Sequence, residues 1–396
     1  VTSDVVIVGA GIVGAACARL LARSGLRVLV LDQGAGAGGT SSHGEGNILV
    51  SDKGPGAELA LAQHASSLWP GTADELSNEL GANFPSIEFD RKGGLVVATT
   101  DTGAAPLIAF AETQREVGVD ARMLDIAEAR ELEPSISDTI TAAIFYPEDA
   151  QVQPVIATEA LLASARLAGA DVRTGIRVTG AVRNGAGDIV GVRTDAGDIS
   201  AAAVLVAAGP WSGEVSRSLG AAVPILPRRG MVLVTTRMTH RIFHKVYDGD
   251  YVGAVSSSDA DLQTSSVVES TASGTVLIGS SRQQVGFDDR LQVRVLQELA
   301  AKALRLFPFL AEASLMRSYG GFRPYMPDHL PVIGRDHRVE GLWHASGHEG
   351  AGIGLSLATA EIIAAQMTGT KPALDAAPFR LDRPTLARYL AEDVPA

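Results

Sequence analysis

Three stretches of this sequence carry residue types at spacings that could do chemistry. The first is Gly9-Ala10-Gly11-Ile12-Val13-Gly14, followed by Asp32 at the end of a second apolar run. Gly9 permits a tight turn, Gly11 lets backbone approach a pyrophosphate, and Gly14 lets a helix pack closely on a strand. The unpaired N–H groups at the start of that helix offer partial positive charge to phosphates. Asp32 follows about 20 residues on, where a carboxylate accepts hydrogen bonds from ribose hydroxyls. The second stretch, Gly347-His348-Glu349-Gly350-Ala351-Gly352-Ile353-Gly354, repeats the glycine turn into an apolar helix near the other end of the chain. The third is Gly320-Gly321-Phe322-Arg323-Pro324. An arginine before proline is biased to extended backbone, and its fork matches a carboxylate with two parallel hydrogen bonds.

These groups need elements to hold them. Val5 to Val8 reads as a strand buried on both faces, the helix after Gly14 stops at Gly25, and Arg27 to Leu31 reads as a second buried strand. Such a βαβ unit spans about 30 residues, the size of a dinucleotide fold. Residues 58–80, 104–117, 125–131 and 289–306 read as helices, and Pro154 opens another that runs to Gly169. Ile87 to Thr100 reads as two strands around Gly93-Gly94. Strands joined by Gly, Asp and Asn turns then lead to a buried run ending at Ala207-Ala208-Gly209-Pro210-Trp211. The expected fold class is α/β, with a Rossmann-like nucleotide-binding domain interleaved with an α+β substrate domain on a mostly antiparallel sheet. The nucleotide domain is expected at 1–86, 151–222 and 320–396, and the substrate domain at 87–150 and 223–319.

Composition narrows the function. With 396 residues and 46% hydrophobic content the chain can bury the cores of two domains. A net charge of −12 argues against nucleic acid as a partner. Cys17 is the single cysteine, so this chain alone builds no disulfide framework, zinc cluster or iron–sulfur cluster. The first strand starts within a few residues of Val1, leaving no room for a signal peptide. The apolar runs look too short and too interrupted to span a membrane. A cytoplasmic protein is expected.

The glycine motif alone leaves NAD and FAD open. Taken together, "VVIVGAGIVGA", "LVAAGPWS" and "GFRPYMPDHLPVIGR…GLWHASGHEGAGIGLSLATAEIIA" resemble the D-amino-acid oxidase family of FAD enzymes over nearly the whole chain. Bacterial members include glycine oxidase, sarcosine oxidase and D-amino-acid or hydroxyproline dehydrogenases. "TSSHGEGNILVSDKGPGAELALA" and "GSSRQQVGFD" are most similar to flavin subunits of hydrogen cyanide synthase and of opine or hydroxyproline oxidase assemblies.

The resemblance implies FAD as cofactor and dehydrogenation of a carboxylate-bearing amine, by hydride transfer from the α carbon to flavin N5, giving an imine. A D-amino acid, glycine, a secondary or N-alkyl amino acid, or an opine would fit. It implies that Gly9, Gly11, Ile12, Val13 and Gly14 cradle the pyrophosphate, with Asp32 and Gln33 at the ribose. Thr40, Ser41, Ser42, His43, Gly46 and Asn47 would follow the cofactor towards the ring, with Val178, Gly209 and Trp211 beside it. Gly350, Gly352, Ile353 and Gly354 would face the ring, where helix N–H groups stabilise the negative charge of the reduced flavin. Arg323 would bind the substrate carboxylate, with Tyr247, Tyr251 and His348 in the pocket. A covalent bond from His43 to the flavin is an alternative left open. Relatives with a lysine that activates oxygen differ from "LIGSSRQQVGFD", which has Ser281, Arg282 and Gln283 but no lysine. The acceptor is therefore O2, a quinone or a partner subunit, in a homo- or hetero-oligomer. The readings kept beside the leading one are a flavin-bearing subunit of a multi-subunit electron-transfer dehydrogenase and a flavoprotein acting on a hydroxy acid.

Overall fold

In the computed structural model, residues 2–249 and 257–391 are described. The β-branched run Ser3–Val8 lies at the centre of a sheet whose strand order is Val332–Arg335, Leu342–Ser346, Gly197–Val206, Ser3–Val8, Val28–Asp32, Asp171–Thr174. The four inner pairings are parallel, with Val6 opposite both Leu29 and Val204, and only Val332–Arg335 runs antiparallel to its neighbour. A hairpin, Val178–Arg183 and Ile189–Thr194, hangs from the strand Gly197–Val206. Central strands covered on both faces need apolar side chains on both, which is why their sequences do not alternate.

The second sheet has the order Leu315–Tyr325, Leu226–Thr235, Val276–Arg282, Gln263–Ser270, Lys245–Asp248, Gly94–Ala98, Ala142–Tyr146, Arg122–Leu124. Its pairings are antiparallel except that between Lys245–Asp248 and Gly94–Ala98. The amphipathic helix Val293–Leu306 covers one face, burying Val295, Leu299, Ala303 and Leu306. Gly320 falls inside the strand Leu315–Tyr325, so the chain leaves this sheet after Tyr325. Ile87 to Thr100 forms one strand rather than two. Glu88 and Gly93 both take positive φ (52° and 82°), which breaks extension, and Asp90 makes only an isolated bridge to Gln151.

Three helices join the sheets. The opening helix Ile12–Arg23 presents Ala15, Ala16, Cys17 and Ala18, small enough for close approach, and stops where Gly25 adopts φ 87°. Burial pushes the Cys17 thiol up to about 12, so it behaves as a small core group. The long helix Ala57–Leu80 ties to the closing helix Gly352–Thr368 through Trp69 Nε1, which donates to the Gly354 carbonyl at 3.1 Å. The closing helix is apolar around its whole circumference because neighbours bury it on all sides, and Gly369 ends it in the left-handed conformation. Contrary to the expectation from the apolar runs, the stretch Glu349–Thr368 is long and apolar enough to cross a membrane, but 61% of its apolar window is buried inside the fold.

Candidate functional site

Both glycine-led helices start at one cavity of about 500 Å³. Gly11, Ile12 and Val13 from the opening helix and Gly350, Gly352 and Ile353 from the closing helix all line it. The two N-termini are neighbours, since a Cβ on Gly352 would lie 4.0 Å from Val13 Cγ2. Neither N-cap residue, Gly11 or Ala351, supplies a side-chain cap of its own.

The first glycine turn is a close fit of backbone on backbone. Gly9 takes φ 117°, and a Cβ there would collide with the Ala207 carbonyl; one on Gly14 would collide with the Gly9 carbonyl. Gly14 therefore packs the helix onto the turn and does not line the cavity. Asp32 does line it, and also braces the turn: Oδ2 accepts from Ala10 N–H and Oδ1 from Gly34 N–H, both at 2.8 Å. Each carboxylate oxygen keeps a further lone pair for a ribose hydroxyl. Gln33 lines the wall beside it, as do Val178, Gly209 and Trp211. Trp211 stacks on Phe287 with centroids 5.5 Å apart and lies against Gly39.

The turn Thr40–His43 crosses from one sheet to the other. Ser41 Oγ accepts from Ile12 N–H at 2.9 Å, and Thr40 Oγ1 donates to the Phe322 carbonyl at 2.6 Å. His43 lines the cavity with Nδ1 2.9 Å from the Gly39 carbonyl, and its Cβ packs on Gly321. Ser42 and Gly46 do not line it. Ser42 Oγ is held by the Gly39 carbonyl at 2.9 Å, and Gly46 packs on the Val152 backbone. Asn47 lines the wall, with Oδ1 buried and without a hydrogen-bond partner among the described residues. Gly354, two residues further along its helix, does not line the cavity and packs on the Ile48 backbone, where a Cβ would stand 3.2 Å from Ile48 Cα. Glycine contacts too tight for a Cβ, two helix starts meeting at one cavity and an orphaned polar atom on the wall together fit a dinucleotide cofactor.

Arg323 reaches the same cavity from the second sheet. Its strand pairs Arg228 with Arg323, and its Nη1 donates to the Ser281 carbonyl at 2.7 Å. Its guanidinium lies across Gly230, and a Cβ on Gly350 would stand 3.4 Å from its Nε, so arginine and closing helix meet. Glu45, Ser280, Arg282, Phe322 and Glu349 also line the wall and were not singled out from the sequence. Glu349 Oε1 lies 3.3 Å from His329 Nδ1 and its Oε2 lies 3.8 Å from Arg228 Nη1. The glutamate beside it raises the His329 pKa. Glu45 and Glu349 did sit inside quoted motifs, which was the available signal. Nothing in their spacing said which way they face.

One expectation for the pocket is corrected, and a second residue, His348, stands on the wall as expected. Tyr247 is fully buried away from the cavity wall, its hydroxyl 3.4 Å from Asp149 Oδ2, because its place on Lys245–Asp248 turns it towards the core. His348 lines the cavity but its Nε2 is 2.9 Å from Thr359 Oγ1 on the closing helix. Burial pushes its pKa down to about 3, so it stays neutral and ties the turn to the helix. Tyr251 lies outside the described residues.

A family model described as FAD dependent oxidoreductase (DAO) matches residues 4–366. Hydrogen cyanide synthase subunit HcnC of Pseudomonas aeruginosa is 30% identical, over 96% of this chain and 95% of its own length. Glycine oxidase of Geobacillus kaustophilus is 29% identical, over 96% of this chain and 97% of its own. The solved structure of glycine oxidase from Geobacillus kaustophilus superposes with a TM-score of 0.87 at 27% identity, covering 96% of this chain and 99% of that one. L-proline dehydrogenase from P. horikoshii shares the fold, with a TM-score of 0.84 at 23% identity over 96% of this chain and 97% of that one.

Proposed function

Since the chain belongs to the FAD-dependent oxidoreductase (DAO) family, we propose that it oxidises a small amine bearing a carboxylate, an amino acid or N-substituted amino acid. One observation carries the reading: Arg323 shares a cavity wall with the two glycine-led helix starts, so a carboxylate it holds lies beside the cofactor site. FAD, held there, would supply the two-electron acceptor for a hydride from the substrate's α carbon, and water would hydrolyse the imine product. Gly9, Gly11 and the opening helix N-terminus hold the pyrophosphate, with Asp32 at the ribose. Gly350, Gly352 and Ile353 present backbone N–H groups and the positive end of the closing helix to the flavin ring, favouring its reduced form. Arg323 orients the substrate through its carboxylate, so that position rather than acid–base machinery supplies much of the rate.

The purified protein is expected to show a flavin absorbance spectrum that bleaches anaerobically with one class from a panel. The panel comprises glycine, sarcosine, D-alanine, D-proline, hydroxyproline isomers and an opine. A protein that neither carries nor takes up flavin would sink the reading. A relative named as a hydrogen cyanide synthase subunit favours a second form of it, in which this chain is the flavin-bearing subunit of a larger dehydrogenase. Flavin that bleaches but is reoxidised by a quinone or partner chain, and only slowly by O2, supports that form. Fast reoxidation by O2 alone argues against it.

A further inference from the structure

The cavity wall holds a carboxyl group for which the reaction above gives no role. Glu45, between the turn Thr40–His43 and the strand Asn47–Ile48, lines the same cavity as Arg323 and keeps 8% of its surface exposed. Its Oε1 is buried without a hydrogen-bond partner among the described residues, while Oε2 accepts from Asn47 Nδ2 at 3.3 Å. Gly279 lies opposite, and a Cβ there would collide with Oε1, so the second sheet leaves room for this carboxyl group. A buried oxygen without a donor is costly, an arrangement that persists where a ligand brings the donor. Lys245, Arg282 and Arg323 from three strands of the second sheet, and the Tyr319 hydroxyl from the strand of Arg323, are the charged and titratable groups facing it. Lys245 is itself buried and paired with Glu269. Burial outweighs the three cations and raises the Glu45 pKa above the usual carboxylate range.

We infer that Glu45 binds the amine of the substrate whose carboxylate Arg323 holds, and accepts the proton that the amine must lose before its α C–H bond can break. The inference rests on the amine-oxidation reading. An amino acid arrives with an anionic carboxylate and a cationic ammonium, and on this wall Arg323 and Glu45 offer a group of opposite charge to each. Of the other carboxylates on the wall, Asp32 braces the opening turn, and Glu349 lies 3.8 Å from Arg228 Nη1 and 3.3 Å from His329 Nδ1. In the step itself an ammonium N–H bond breaks, its electron pair stays on nitrogen, and the proton forms an O–H bond on Glu45. The freed nitrogen pair then assists hydride departure from the α carbon, and the proton returns to solvent with product release. Burial suits the task, because raising the carboxyl pKa brings it closer to that of the amine whose proton it takes.

The test uses the purified flavin-containing protein with Glu45→Gln and Glu45→Asp. Flavin reduction is followed anaerobically against pH with the amino acid that bleaches the wild type, and propionate binding is followed by perturbation of the flavin spectrum. Glu45→Gln should slow reduction by about 100-fold or more at neutral pH, the deficit shrinking as rising pH deprotonates the free amine. Propionate, which has no amine, should bind as it does to the wild type. Glu45→Asp should fall between the two. A Glu45→Gln protein with the wild-type rate and pH profile overturns the inference, as does an equal loss at every pH accompanied by loss of propionate binding. Should Glu45→Gln hold no flavin, an unshifted pH profile in Glu45→Asp overturns it. A wild-type flavin that no amino acid bleaches removes the amine-oxidation reading, and this inference with it.

Discussion

At the scale of single residues, the site depends on charges whose positions are fixed by neighbours that are not charged. The Arg323 fork is steadied by the Ser281 carbonyl and passes over Gly230 and beside Gly350, where larger residues would displace it. Replacing it by methionine keeps most of the apolar stem and removes the charged hydrogen bonds, worth about 1.5–3 kcal/mol. Arg323→Met is therefore expected to lower kcat/KM by about 10- to 100-fold, mostly through KM, with flavin content unchanged. Steady-state kinetics beside an absorbance ratio check this, and an unchanged KM would remove Arg323 from substrate binding. Arg323 was legible in the sequence because Gly-Gly-Phe-Arg-Pro says that an extended arginine passes close to other backbone. Tyr247 was misread. Its place in the pocket came from the resemblance, while on its strand two faces were open and the tyrosine takes the core-facing one.

Among the elements, the closing helix is the most constrained, since its turn must stay in place at the cavity while its body stays in the core. His348 makes that link through Thr359, and burial takes its pKa from 6.5 to about 3. The unfolded chain binds a proton at this imidazole from about pH 6.5 downward while the folded chain does not. Stability is therefore undiminished above that pH and is lost as pH falls towards 3, by up to about 1.4 kcal/mol per pH unit. Asp149, raised to about 6 chiefly by burial, acts in the opposite sense, losing stability as pH rises from about 4 to 6. Comparison with His348→Gln, which has no such titration and can still bond Thr359, isolates the histidine. The melting midpoint of the wild type should fall more steeply than that of His348→Gln as pH drops below about 6. Parallel curves would show that His348 is not held neutral. The helices themselves were legible, because caps, proline at a first turn and glycine stops act within a few residues. Glu88 and its positive φ were not, since a strained residue between apolar neighbours leaves no pattern.

At the scale of the whole molecule, the chain visits each sheet more than once, so cofactor and substrate groups come from segments far apart in sequence. Ending the chain after Gly320 cuts through the strand Leu315–Tyr325 and removes Arg323, the strands Val332–Arg335 and Leu342–Ser346, and the closing helix. Such a truncation keeps the entire Gly9–Asp32 unit yet is expected to hold no flavin, as read by absorbance after desalting. A folded fragment with stoichiometric flavin would show that the closing helix is not needed for the cofactor. What the sequence determined by itself was the nucleotide unit, because its turn, helix start and carboxylate obey constraints among near neighbours. It also determined that a second glycine-led helix and an arginine were waiting for a partner. Only the tertiary structure decided that both helices start at one cavity, that Arg323 and Glu45 share its wall, and that Tyr247 does not. Which side chains meet across two sheets follows from strand register, where a slip of one residue turns every side chain to the opposite face, and register is set by pairings between distant segments.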